Sequence, residues 1–273
     1  MKKSKGHHLL NLLSIILAIV FLAPIVWALA ASFQVEGKQF DSFIKWFTPP
    51  YTLQNYPAII FHSSVVIWLK NSVVIAVVST AATVIASAMA AYALAKLDFK
   101  GSRAFYLYFL LGLMVPGEAT IVPLFITVSN LHLIDSYAGM ILPSVAVTTN
   151  LIIMVNFFKA LPDEILESVR IDGGGELTIF WKIVLPLSKP IIATVCIFAF
   201  VGSWNNYIWP LLCAMSESMF TLPVGIPTFS GTYTVDYVRP MTAYMVASLP
   251  MIFMYIIFEK QIVAGMTQGA VKG

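Results

Sequence analysis

Apolar residues in this chain come in long runs broken by short polar stretches. They show neither the alternation of a half-buried strand nor the one-sided stripe of a soluble helix. A helix needs about 20 apolar residues to cross a bilayer. Six segments meet or approach that length: Leu9–Ala31, Asn71–Ala95, Ala104–Val128, Ala138–Phe158, Ile191–Ala214 and Met241–Phe258. The pattern predicts an all-α, polytopic membrane protein with six spans. The first run follows "MKKSKGHH" and precedes "ALAAS", which resembles a secretory signal with a small-residue cleavage site. A signal's apolar region is about 7–15 residues, and this run is longer, so it reads as an uncleaved span.

Composition agrees with this class. Hydrophobic residues make up 59% of the 273 and charged residues 11%, against about 25% charged in soluble domains. Lysine and arginine set the orientation, because they collect on the cytoplasmic side. With the N-terminus inside, Lys2, Lys3, Lys5, Lys96, Lys100, Arg103, Lys159, Arg170, Lys182, Lys189, Lys260 and Lys272 fall inside. Only Lys38, Lys45, Lys70 and Arg239 fall outside. Both termini are therefore predicted to be cytoplasmic. The external loops are 33–70, a short one at 132–137, and 215–240. The first holds "TPPYTLQNYPAIIF", whose prolines predict extended backbone lying on the membrane surface.

The net charge of +3 comes with no basic stripe away from the membrane flanks, so nucleic-acid binding is not indicated. Cys196 and Cys213 would stand roughly 25 Å apart on one continuous helix, beyond disulfide reach. His7, His8, His62 and His132 lie at or outside the ends of the apolar runs, and no cluster has metal spacing. Neither a metal site nor a catalytic constellation is predicted.

The segment from Ala160 to Lys189 breaks the pattern. "LPDEILESVRID" predicts a short helix, with Pro162 at its first position and Asp163 and Glu164 at the positive end of its dipole. Ile165, Leu166 and Val169 form its apolar stripe. Gly173–Gly175 then break the helix and permit positive φ. "ELTIFWKIVL" begins a second helix with Ile179, Phe180 and Ile183 apolar; Pro186 is expected to stop it and Pro190 to open the next span. Connections in helical bundles are usually 2–8 residues. A connection this long is either a loop tucked beneath the bundle or a docking surface, and its ordered pattern favours docking.

The same string resembles the "EAA" signature of ABC importer permeases, the inner-membrane components of binding-protein-dependent transport systems. Glu167, Asp172, Gly173, Phe180, Ile183, Leu185, Pro186 and Pro190 stand in register with it. The chain departs at Ser168–Val169, where the family prefers Ala-Ala, and at Gly174, where it prefers Ala. "MVPGEATIVPLF", "GSWNNYIWPLL", "FTLPVGI" and "GMTQGAVKG" resemble the MalG-like subunit of carbohydrate importers nearly end to end. The resemblance implies the type I importer fold: residues 1–33 as tail and first span, 34–70 as external loop, 71–262 as a five-helix core, and 263–273 as cytoplasmic tail. It implies a non-catalytic permease, coupled through Glu167, Asp172, Gly173, Gly174, Phe180, Leu185 and Pro186 to a separate ATPase. It also implies a second homologous permease, two ATPase copies carrying ATP and magnesium, an external solute-binding protein and a sugar cargo. The permease itself needs no cofactor, and it has no G-x-x-x-x-G-K-[ST] phosphate loop.

Polar residues inside the spans are candidates for the path. Glu118 stands among Pro116, Gly117 and Pro123, so its helix is expected to be interrupted. A carboxylate there either serves transport, or caps the broken helix or bonds a neighbouring span. Trp204, Asn205 and Asn206 in "SWNNYIW" suit a sugar, an interfacial aromatic belt, or amide bonds between helices. The tail "QIVAGMTQGAVKG" is either a frayed end or, as the resemblance implies, an arm reaching the ATPases through Gln268 and Lys272. A self-contained secondary transporter would show repeats and a coupling-ion site, which are not evident. An intramembrane enzyme would need a nucleophile–base pair at depth.

Overall fold

The computed structural model describes the backbone of residues 3–38, 42–229 and 236–270, and the side chains of 10–38, 42–229 and 236–259. The helices, in order, are α1 (Lys3–Ser32), α2 (Asn55–His62), α3 (Val65–Lys96), α4 (Ser102–Gly112), α5 (Gly117–Asn130), α6 (Tyr137–Val145), α7 (Thr148–Lys159), α8 (Asp163–Ile171), α9 (Glu176–Ile179), α10 (Leu185–Leu187), α11 (Lys189–Trp204), α12 (Ile208–Cys213), α13 (Leu222–Gly225) and α14 (Val238–Ala270). Among the described residues there is no strand, only an isolated bridge between Gln34 and Tyr51. Among the described residues three helices are long and apolar enough to cross a membrane, and three bent pairs raise the number to as many as six.

The predicted interruption of the third span is present. α4 and α5 meet at 104°, with Pro116 in extended backbone as the N-cap of α5. A residue before proline avoids helical backbone, and Gly117 then starts the new helix. The fourth span bends by 41° between α6 and α7. The fifth, expected to run unbroken from Ile191 to Ala214, ends at Trp204 and resumes at Ile208. The sixth begins at Val238 and continues as helix to Ala270, past the expected tail boundary at residue 263. Helix extension needs one hydrogen bond per added residue and no new nucleus, which carries it through Gly265 and Gly269. Lys272 lies outside the described residues, and only the backbone of Gln268 is described.

The chain forms two compact units, residues 1–66 with 224–250, and residues 67–223 with 251–273. In the first, α1 exposes apolar side chains all round from Leu10 to Val26, as a lipid-facing helix does. Its end is tied down by polar contacts. Asn55 donates to the carbonyls of Ser32 and Gln34 at 2.8 and 2.7 Å, and Gln34 donates to the Trp46 carbonyl at 2.7 Å. Trp27, Trp46 and Tyr237 meet edge to face. Residues 48–61, predicted to be extended, are so only in part. α2 forms from Asn55, because Pro57 sits in its first turn, where an N–H would have no helical acceptor.

In the second unit, α3 runs about 48 Å and carries both cores. At one end Ala88, Ala91 and Tyr92 pack on Leu151, Met154 and Phe158 of α7 and on Leu166, Ile179 and Phe180. At the other, Ile75 joins a cluster with Val128, Met140, Trp209 and Cys213. Cys196 and Cys213 are free thiols.

Candidate functional site

The glycine elbow is closed by its own backbone. Gly173 has φ +83°, and its N–H donates to the Arg170 carbonyl at 3.0 Å, while the Gly174 N–H reaches back to the Val169 carbonyl at 2.8 Å. This is the Schellman arrangement, which favours glycine at the left-handed position. Gly174 is needed for a different reason. A Cβ there would lie 2.6 Å from Val169 Cγ1 and 3.0 Å from the Val169 carbonyl oxygen. Two of the three departures from the family pattern are thus one trade: Val169 is larger than alanine, and Gly174 is smaller by one methyl.

Across the elbow, Arg170 donates from Nε to Glu176 Oε1 at 2.8 Å and from its terminal nitrogen to Oε2 at 3.3 Å. The Tyr92 hydroxyl, on α3, donates to the same carboxylate. The Arg170 hydrogen bond, and after it that of Tyr92, holds the Glu176 carboxyl below the usual carboxylate range. A second brace lies at the start of α8. Lys96, buried at the end of α3, donates to the Leu161 carbonyl and to Asp163, each at 2.6 Å. The sequence marks Lys96 and Arg170 only as cytoplasmic charges, and Tyr92 and Glu176 not at all. Their only signal there is polarity at helix ends, which does not reveal partners.

The elbow divides its residues between two directions. Glu167, Asp172, Gly173 and Pro186 are exposed, as a docking surface requires. Phe180, predicted to belong to that surface, is 4% exposed, with its ring centroid 5.4 Å from that of Tyr92. Leu185 is half-buried. Both attach the elbow to the bundle. The apolar side chains that face outward most are Ile171, Leu177 and Trp181, at 85%, 71% and 55% exposure, and Ile165 and Leu187 are exposed as well. Pro186 does not stop the helix, which continues to Leu187 after a π turn at Phe180–Val184. A π turn shifts the hydrogen-bond register and accommodates proline's missing N–H.

The candidate path residues do not come together. Glu118 lies exposed in the first turn of α5, where a carboxylate suits the helix dipole. Trp204 is buried and stacked on Phe200, centroids 5.7 Å apart, and Asn205 is exposed at the end of α11. Asn206 sits in the break, where its Oδ1 accepts from the Trp209 N–H at 3.3 Å. It alone of the four lines a cavity of about 410 Å³ with Ser79, Thr83, Ser144, Asn150 and Ser203.

At the opposite end of α3 the loops predicted to be external meet. Trp68 and Asn71 donate to carbonyls of Glu217, Ser218 and Phe220. Asp135 accepts from the N–H groups of Met215 and Ser216 at 2.8 and 3.0 Å, which holds its carboxyl below the usual range. Gly139 lies against Leu133, whose carbonyl oxygen would be 2.1 Å from an added Cβ. Among the described residues no group of histidine, cysteine or carboxylate side chains could hold a metal.

Residues 82–268 match the family described as binding-protein-dependent transport system inner membrane component. The chain belongs to that family. The permease is 34% identical over 267 residues to the arabinooligosaccharides transport system permease protein AraQ of Bacillus subtilis, covering 97% of this chain and 95% of that one. It is 32% identical to the trehalose/maltose transport system permease protein MalG of Thermococcus litoralis, with 95% of each chain covered. It is likewise 32% identical to the sn-glycerol-3-phosphate transport system permease protein UgpE of Yersinia pestis, with 94% of each chain covered. In fold it matches a chain of a bacterial ABC transporter involved in import of the acidic polysaccharide alginate, with TM-score 0.85, 21% identity, and 95% and 98% coverage. The permease is therefore an all-α, non-catalytic transport component of the cell membrane. The secondary-transporter and intramembrane-enzyme readings are set aside.

Proposed function

We propose that the permease forms one side of a carbohydrate passage and is driven by a separate ATPase that seats on the elbow between Glu167 and Pro190. The observation that carries this is the braced elbow: Tyr92 and Lys96 hold it from α3, while Ile171, Leu177 and Trp181 stand exposed beside Glu167 and Asp172. Exposed apolar side chains in a charged cytoplasmic segment suit a protein partner. The carbohydrate cargo is supported by the arabinooligosaccharide and trehalose/maltose systems of the two relatives. The assembly contains a second, homologous permease, two ATPase copies holding ATP and magnesium, and an external solute-binding protein. Both termini face the cytoplasm. The core runs from residue 71 to 262, and Gln268 and Lys272 of the tail add contacts to the ATPases.

The test uses the assembled transporter in proteoliposomes. Gly173→Leu places a side chain at a left-handed position, and Glu167→Lys reverses an exposed charge. Both variants are expected to insert normally and to lose ATPase association and uptake. Normal uptake by both would remove the elbow from coupling.

A further inference from the structure

The cavity at the middle of α3 carries chemistry that the elbow does not use. Ser79 lies near the midpoint of α3, and its hydroxyl, in a side chain 1% exposed, has no hydrogen-bond partner among the described residues. A buried hydroxyl without a partner is costly, and Ser79 lines the cavity. Thr83 donates to the Ser144 carbonyl at 2.9 Å, where α6 is about to break. Asn206 accepts one hydrogen bond from the Trp209 N–H through Oδ1, which leaves its two amide N–H donors and a second lone pair on Oδ1 to offer. Seven of the eleven lining residues are serine, threonine or asparagine; the others are Val147, Phe198, Ala199 and Gly202. None is charged.

We infer that this cavity is a cargo-contact site for a neutral, hydroxyl-rich glycan, with Ser79, Thr83, Asn150 and Asn206 exchanging hydrogen bonds with sugar hydroxyls. The inference rests on the transport reading above and names the class of cargo. Desolvated sugar hydroxyls need both donors and acceptors, and serine, threonine and asparagine supply both. An anionic cargo would instead leave an unpaired charge against a lining with no cation. The site also explains the helix breaks around it. The kink at Ala146–Val147 and the interruption at Asn205–Tyr207 both border the cavity, and irregular backbone at membrane depth belongs where it lines one.

Gly202 gives a clean probe, because a Cβ added there meets nothing within 4 Å. In the complete transporter, Gly202→Leu is expected to assemble and to keep ATP hydrolysis stimulated by the loaded binding protein, while losing uptake. Unchanged uptake by Gly202→Leu would overturn the site without touching the elbow, whose failure is read separately from Gly173→Leu. For the cargo class, Gly202→Cys is placed in a transporter whose Cys196 and Cys213 are replaced by alanine. Arabinotriose or maltotriose is expected to slow its alkylation by a small maleimide, and sn-glycerol-3-phosphate is not. Protection by the anion alone, or by none of these probes, would overturn the neutral-glycan assignment.

Discussion

Tyr92 and Glu176 are separated by 84 positions in the chain and joined by one hydrogen bond, from the tyrosine hydroxyl on α3 to the carboxylate that Arg170 also grips. The elbow and the end of α3 are thereby linked as one body. A hydrogen bond to a charged group contributes about 1.5–3 kcal/mol. Tyr92→Phe removes it while keeping the ring against Phe180. The expected outcome is normal insertion with more ATP hydrolysed per sugar imported, measured in proteoliposomes. An unchanged ratio would show that the link plays no part in coupling.

The trade between Val169 and Gly174 predicts a compensating pair. Gly174→Ala drives a methyl into Val169, and overpacking of this kind costs about 1–3 kcal/mol. Val169→Ala makes the room. Thermal unfolding in detergent should show Gly174→Ala less stable than wild type and the double variant restored toward it. Simple additivity of the two single effects would contradict the contact.

Asp135 predicts an acid-sensitive link between two loops. Its folded carboxyl ionises below the ordinary value because the Ser216 and Met215 N–H groups bond its charged form. The stabilisation is therefore complete above the unfolded value of about 4 and is lost as pH falls through the lower folded value. Asp135→Asn should lower the unfolding temperature at neutral pH, and its difference from wild type should shrink in acid. A difference that does not change with pH would locate the effect elsewhere.

Orientation is open to direct labelling. Ser42 and Gly175 are both exposed, one in the loop predicted to be external and the other in the elbow. Single cysteines there should react with an impermeant reagent in intact cells at Ser42 only. Ser230, an equivalent external position by sequence, lies outside the described residues. Reaction at Gly175 from outside would reverse the topology and exclude a cytoplasmic ATPase from the elbow.

Gly139 is a packing constraint of a different kind. Its missing Cβ lets α6 approach the Leu133 carbonyl, and Trp209 donates to the Gly139 carbonyl at 3.0 Å. Gly139→Ala should lower thermal stability by more than the cost of a surface substitution, about 0.5 kcal/mol at most. Wild-type stability would mean that the loop can retreat freely.

Features that depend on local chemistry are legible in the amino-acid order alone. Six apolar runs of spanning length follow from transfer to lipid, which each segment meets on its own. The break before Gly117 follows from Pro116, and the elbow follows from Gly173, because φ preferences belong to single residues. Positive charge near the spans predicts the orientation by the same local logic. The packing of the helices settled what meets across the chain. It turned Phe180 inward and left Ile171, Leu177 and Trp181 outside, since one helix turn offers apolar residues on several faces and neighbours choose among them. It paired Glu176 with Tyr92 and Arg170, and it separated Glu118 from Asn206 although both looked like path residues. It gathered Ser79, Thr83, Asn150 and Asn206 around one cavity, because convergence of side chains from α3, α7 and the break after α11 depends on how those helices pack, which no single segment encodes.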